Sequence, residues 1–239
     1  MADATSVLAP GKQRSSERRV RRHTLILDIA TELFIRNGYH ATTTEDIARQ
    51  GAFSVGLIYR HFAKKEDILF EAIQSTSQRI LQEVPDLIAE EHDPLRRFLV
   101  AVAHFHRIDT ENKQSSILGI RESKSLSRDQ IEHVKKLEAA STDIIGRCID
   151  ECIAAGIFRP VDVEMLTYQV VMHVHNWALN AWRFSPRRKP DAYLNAGLEH
   201  LLTAVLVPGR EWSSIATELP AVGGQKPPAK VRVTRKKTS

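Results

Sequence analysis

The sequence predicts an all-α fold in which a short N-terminal group of three helices precedes a larger helical body. Apolar residues recur at helical spacing, as in Ile26, Ala30, Leu33 and Phe34, or Leu69, Ala72, Ile73 and Ile80, and no convincing strand pattern interrupts them. Punctuation falls between these stretches, at Gly51-Ala52, Pro85, Pro94, Gly156, Pro160, Pro186 and Pro190, where helices are expected to stop. The 239-residue length allows one sizeable core or two small ones.

Residues 1–22 are rich in Ser, Gly, Pro and basic side chains without an apolar period, and are expected to form a disordered basic arm. Residues 23–70 hold the three-helix unit. Within it, Thr42-Thr43-Thr44-Glu45-Asp46-Ile47-Ala48 is a capped helix start, because the Thr43 hydroxyl can accept from amides that a first turn leaves unsatisfied. That helix ends at Gly51-Ala52, and Ser54 can cap the next, Val55 to Phe62, after a tight turn.

Residues 71–207 form the body. It includes a long helix from near Ser127 closed by Gly156, then two final helices, about Val163 to Arg183 and Asp191 to Val207. Val170, Val174, Trp177 and Ala181 mark a wide apolar face of the first, and Leu194, Leu198, Leu201 and Val205 mark a face of the second. Such faces need burial, and the latter four residues are expected to meet a second copy of the chain. Residues 208–239 return to the composition of the start, ending in Arg235-Lys236-Lys237, and are expected to be a second disordered basic tail.

Charge is divided unevenly. Residues 1–24 carry +4 and residues 208–239 carry +5, against +5 for the whole chain, so the residues between are net −4. Positive charge confined to the ends excludes uniform coating of nucleic acid and puts any DNA affinity at the ends. No apolar run of about 18 residues and no signal-peptide core occurs, and Cys148 and Cys152 are the only cysteines. The chain is expected to be soluble and cytoplasmic, without a membrane partner.

Two short helices joined by a tight turn can place the second in a major groove about 12 Å wide. Phe34, Gly38-Tyr39, Thr42-Thr43, Asp46-Ile47-Ala48, Ser54, Gly56, Ile58-Tyr59, His61-Phe62, Lys65-Glu66 and Leu69 together resemble, in order and spacing, the DNA-binding signature of the TetR family. Ala52 departs from the usual Gly there, and Phe53 from a smaller aliphatic. A left-handed Ala52 would cost about 1 kcal/mol.

Thr43, Tyr59, His61 and Lys65 are suited to phosphate contacts, which position a protein without reading sequence. The resemblance sets Val55, Gly56, Leu57 and Arg60, following the Ser54 cap, against base edges. There Gly56 admits close approach, Val55 or Leu57 meets a thymine methyl, and Arg60 pairs with guanine or serves a phosphate. Ile58 and Phe62 are core by spacing. Arg18, Arg19, Arg21 and Arg22 either reach a neighbouring minor groove or are simply solvated. The resemblance implies a ligand-responsive repressor that binds palindromic double-stranded operator DNA as a homodimer.

The body carries no phosphate loop, zinc-protease pair or nucleophile elbow, so no enzymatic activity is expected. His104-x-His106 and His173-x-His175 cannot share a metal from one helix, since i and i+2 lie about 200° apart. Cys148 and Cys152 share a face without a third ligand, and neither a metal nor a cofactor is expected. The segment from His173 through Trp177 and Trp182 to Arg183 sets an apolar slot beside a basic rim completed by Arg187, Arg188 and Lys189. This suits an acyl group with phosphates, or else packs the two tryptophans at a dimer interface. Arg121 is a further pocket candidate. The segment also resembles TetR-type regulators of lipid and sterol breakdown, which implies a CoA thioester as inducer. The alternative is control of an efflux system by a cationic or aromatic drug.

Overall fold

The computed structural model describes residues 10–220. Its helices are α1 (Pro10–Asn37), α2 (Thr44–Gly51), α3 (Val55–Tyr59), α4 (Lys65–Ala89), α5 (Pro94–Glu111), α6 (Lys113–Glu122), α7 (Arg128–Ala154), α8 (Val163–Phe184), α9 (Pro190–Thr203) and the single turn α10 (Trp212–Ile215). Among the described residues the only extended pairing is an isolated bridge between Phe158 and Leu206.

Helix boundaries follow side-chain caps. Asp93, Ser127 and Asp162 accept from the amides three residues on, opening α5, α7 and α8. Pro94 and Pro190 do not stop helices; they open them at the first position, where a missing N–H costs nothing. Pro85 lies inside α4, four residues before its end. Gly156 closes α7 with φ 66°.

Part of each segment expected to be disordered is folded. The arm is helical from Pro10, because Arg, Gln, Glu and Lys are good helix formers and α1 extends backward from an end anchored by Ile26 and Ala30. Residues 1–9 of that arm lie outside the described residues, as do residues 221–239 of the tail. The tail up to Pro220 docks on the body instead. Trp212 and Ile215 are buried in its core, and the Trp212 indole donates to Asn195 Oδ1 at 2.9 Å. Two apolar side chains in a polar stretch give no period, yet they suffice as an anchor.

Two cores result. The head gathers Ile26, Phe34, Ile47, Ile58, Phe62, Ile68 and Leu69 from α1 to α4, and borrows Leu118 of α6 and Leu126. The body packs Phe98, Phe105, Ile145, Val170 and neighbours. Cys148 and Cys152 belong to it; burial pushes their thiols up to about 11 and about 12, so they are inert packing groups. Leu194, Leu198 and Val205 are also sealed in this core, and Leu201 packs against it. The expectation that they face a second copy is therefore corrected: the α9 stripe is covered by the chain's own body. Arg79, Glu83, Arg107 and Glu111 pair across α4 and α5 at 2.6 to 3.6 Å, joining the head's last helix to the body.

Candidate DNA interface and effector site

The head is built from local signals. Thr43 caps α2 by accepting from the Asp46 amide at 3.1 Å, and Asp46 Oδ2 accepts from the Thr43 amide and hydroxyl at 3.0 and 2.8 Å. Those bonds, first the backbone one, hold the Asp46 carboxyl below its ordinary range. Ala52 ends α2 with φ 54° and ψ 42°, in the left-handed conformation that favours glycine. Ser54 then caps α3 through the Leu57 amide.

The short α3 stands on Ile58, which is fully enclosed, with Val55 and Leu57 leaning on the head core. Gly56, Tyr59 and Arg60 are exposed. Arg60 closes α3 as its cap, so this helix is one turn shorter than the pattern from Val55 to Phe62 indicated. Burial first, then the charges of His23, Arg19, Arg60 and Arg22, hold His61 below its ordinary value. This part of the surface is strongly cationic.

Lys65 departs from expectation. Its ammonium donates to the carbonyls of Tyr39 and Thr42 at 2.8 and 2.7 Å and lies 4.3 Å over the Tyr39 ring. Two of its three donors are thus used inside the head, and desolvation lowers its pKa. The role as a free phosphate ligand is corrected to that of a clamp between α4 and the turn before α2.

In the body, the predicted ligand residues separate into two groups. His173 and Trp177 come together around Tyr193 of α9: the His173 ring stacks on Tyr193 at 4.4 Å and the Trp177 ring lies at 5.2 Å. The His173 ring occupies the space where a side chain on Gly197 would stand, 2.0 Å from an ideal Cβ, so glycine there leaves room for the ring in this position. Tyr193 accepts from Asn176 Nδ2 at 2.7 Å and donates to the His173 carbonyl at 3.1 Å. Trp182, Arg183 and Arg121 are exposed instead, Trp182 at 73%. A break at Asn180 (φ −118°, ψ 18°) separates Trp182 and Arg183 from the buried part of α8.

Sequence reasoning missed Asp109 and weighed His106 only as a metal ligand. Both are fully enclosed on α5. Asp109 Oδ1 accepts from Ser116 Oγ at 2.7 Å and from His175 Nδ1 at 2.9 Å. Burial alone would lower His175, but the bond to Asp109 and its charge outweigh it and raise the imidazole above its ordinary value. His106 Nε2 donates to the Pro190 carbonyl at 3.2 Å, and burial pushes its pKa down to about 4. The available signal was a carboxylate in the last turn of α5, directly after the apolar-rich stretch from Phe98 to Ile108, a place such a group occupies only with partners. Among the described residues no group of three His, Cys, Asp or Glu could hold a metal ion, and no helix is long and apolar enough to cross a membrane.

A capped helix-turn-helix head on a separate helical body with a buried aromatic and polar cluster defines a two-part DNA-binding regulator. The family profile of bacterial regulatory proteins of the tetR family matches residues 26–72, and that of the tetracyclin repressor-like C-terminal domain matches residues 91–186. The chain is 36% identical over 188 residues to the HTH-type transcriptional regulator HbdR of Aromatoleum sp. (strain CIB), covering 77% of this chain and 82% of that protein. Its fold matches the crystal structure of AibR in complex with isovaleryl coenzyme A and operator DNA (TM-score 0.62, 17% identity, 76% of this chain and 97% of that one). It also matches FadR from Bacillus subtilis in complex with stearoyl-CoA (TM-score 0.60, 21% identity, 75% and 97%). The chain belongs to the TetR family of transcriptional regulators, and is a DNA-binding regulator, not an enzyme.

Proposed function

We propose that this regulator is a repressor that binds a palindromic operator as a homodimer and leaves it when an acyl-CoA or related CoA thioester enters the body. The single observation that carries the ligand class is the junction of α8 and α9. There the buried Trp177 and Tyr193 rings and the half-buried Phe184 ring abut the exposed end of α8 and the turn after it, whose Arg183, Arg187, Arg188 and Lys189 have no ion pair among the described residues. Apolar chain on one side and four free cations on the other suit an acyl group bearing phosphates. AibR and FadR, named for complexes with CoA esters, share the fold. The cationic-drug alternative would want a buried carboxylate free to meet a cation, whereas Asp109 is already met by His175.

In the head, Val55, Gly56, Leu57 and Arg60 are assigned to base edges. The α2 and α3 N-termini at Thr43 and Ser54, with Tyr59 and His61, are assigned to phosphates. The dimer surface is assigned to α8, where Met165, Tyr168 and Met172 line one exposed stripe beside a 660 Å³ groove along α7 at Gly146. Release follows from linkage: an effector favouring a dimer whose α3 helices no longer match the operator spacing weakens DNA binding by the factor that DNA weakens its own binding. A coupling of about 2 kcal/mol changes affinity roughly thirtyfold.

The test is a mobility-shift titration on DNA upstream of the regulator's own gene, challenged with acyl-CoAs, the free acids and cationic dyes. Release by CoA esters alone is expected. Release by dyes and by no CoA ester would transfer the site to the drug alternative.

A further inference from the structure

Three buried side-chain acceptors on α5 have no partner among the described residues, Thr110 Oγ1 and two that lie one turn apart. Asp109 Oδ2 is one; its sister Oδ1 holds both Ser116 and His175. His106 Nδ1 is the other. Because Nε2 donates to the Pro190 carbonyl, the imidazole proton sits there and Nδ1 is left as a bare acceptor. The two side chains are three residues apart, one turn of the same helix, and so share a face. Around them stand the rings of Phe105, Trp177 and Tyr193. Buried acceptors are costly to leave unpaired, and two on one turn among aromatic walls ask for a donor from outside the chain.

Resting on the reading of the body as an effector site, we infer that His106 and Asp109 form a subsite for an uncharged hydrogen-bond donor, a hydroxyl or amide N–H, on the apolar part of the effector. The donor must be uncharged because the Asp109 carboxylate already faces His175, which that carboxylate keeps protonated more readily than an ordinary imidazole. His106 stays neutral because burial outweighs the opposing charge of Asp109 and the bond to Pro190, with His173 and Asp191 acting on it only through their charge, and Glu138 likewise on His175. An ammonium group would bring one more positive charge to a pair already balanced. A carboxylate would face two acceptors.

The experiment is calorimetric titration of the full chain with butanoyl and hexanoyl thioesters of CoA that bear hydrogen, hydroxyl, carboxamide or methoxy at the distal carbon, alongside the corresponding methyl esters. The hydroxyl or carboxamide member of a series is expected to bind at least tenfold tighter than both the hydrogen and the methoxy members, since methoxy accepts but cannot donate. His106→Leu should shrink the preference. Asp109→Asn, with its oxygen retained by His175, turns a donor toward the subsite and should shift the preference toward methoxy. Equal affinities within every series of the wild-type chain, or a preference that both variants retain, overturns the subsite. A donor preference seen with methyl esters while no thioester binds keeps the subsite and overturns the CoA reading, and binding by no probe overturns both.

Discussion

The ammonium of Lys65 sits 2.8 Å from the Tyr39 carbonyl and 4.3 Å over the same residue's ring, so one tyrosine holds the lysine by backbone and side chain together. The Thr42 carbonyl supplies a third contact at 2.7 Å. This fixes the start of α4 against the turn that delivers α2. Lys65→Ala is therefore expected to destabilise the fold by about 1.5 to 3 kcal/mol, the range for hydrogen bonds to a charged group. Urea unfolding measures this. A variant as stable as the parent but with a smaller salt slope of operator binding would return Lys65 to the phosphate contacts.

Ala52 occupies a left-handed conformation at φ 54° that a Cβ disfavours. Ala52→Gly should stabilise the head by up to about 1 kcal/mol, reduced by the greater freedom of glycine in the unfolded chain. Thermal unfolding reads the sign. A lower midpoint for Ala52→Gly would show that unfolded-state entropy outweighs the relieved contact.

His106 predicts acid sensitivity. Burial takes its pKa from the ordinary 6.5 to about 4, so the unfolded chain takes up a proton as pH falls through 6.5 while the folded chain resists until about 4. Stability is lost across that window, by about 3 kcal/mol at most. His175 works the other way: its raised pKa contributes stability at low pH that fades as pH rises through the folded value. Urea midpoints between pH 7 and 4.5 should drop for the parent and flatten for His106→Gln. Parallel curves would remove His106 as the origin.

The α8 stripe predicts the dimer. Tyr168 and Met165 are 60% and 56% exposed, while Leu198 is sealed. Charging Tyr168 and Met172 together (Tyr168→Glu, Met172→Glu) should give a folded monomer with weak operator affinity, whereas Leu198→Glu should unfold the body. Sedimentation velocity with circular dichroism separates the outcomes, and a Tyr168/Met172 variant that still sediments as a dimer would move the interface off α8.

The head was legible because its determinants are local: Thr43 and Ser54 cap within three residues, and Ile58 and Phe62 declare the buried side of α3. Lys65 was misassigned because a cation beside a helix start suits a carbonyl as well as a phosphate, and only the path of α1 decides which it meets. Leu194, Leu198 and Val205 were correctly apolar and wrongly partnered, since periodicity states that a face is buried and never against what. His173 and Trp177 stand out through their neighbours in sequence, and the structure brings both against Tyr193. Asp109 and Tyr193 complete that cluster from α5 and α9, and no spacing rule links positions 66 and 17 residues from their partners.

Leu118 and Leu126 close the head's core although they lie 53 and 61 residues beyond Lys65, where its last helix starts. A fragment cut after α4 would open that core on one side, so the DNA-reading unit is not a transplantable cassette. Chimaeras joining this head to another regulator's body would have to carry α6 and the turn after it, or design a matching leucine contact into the recipient.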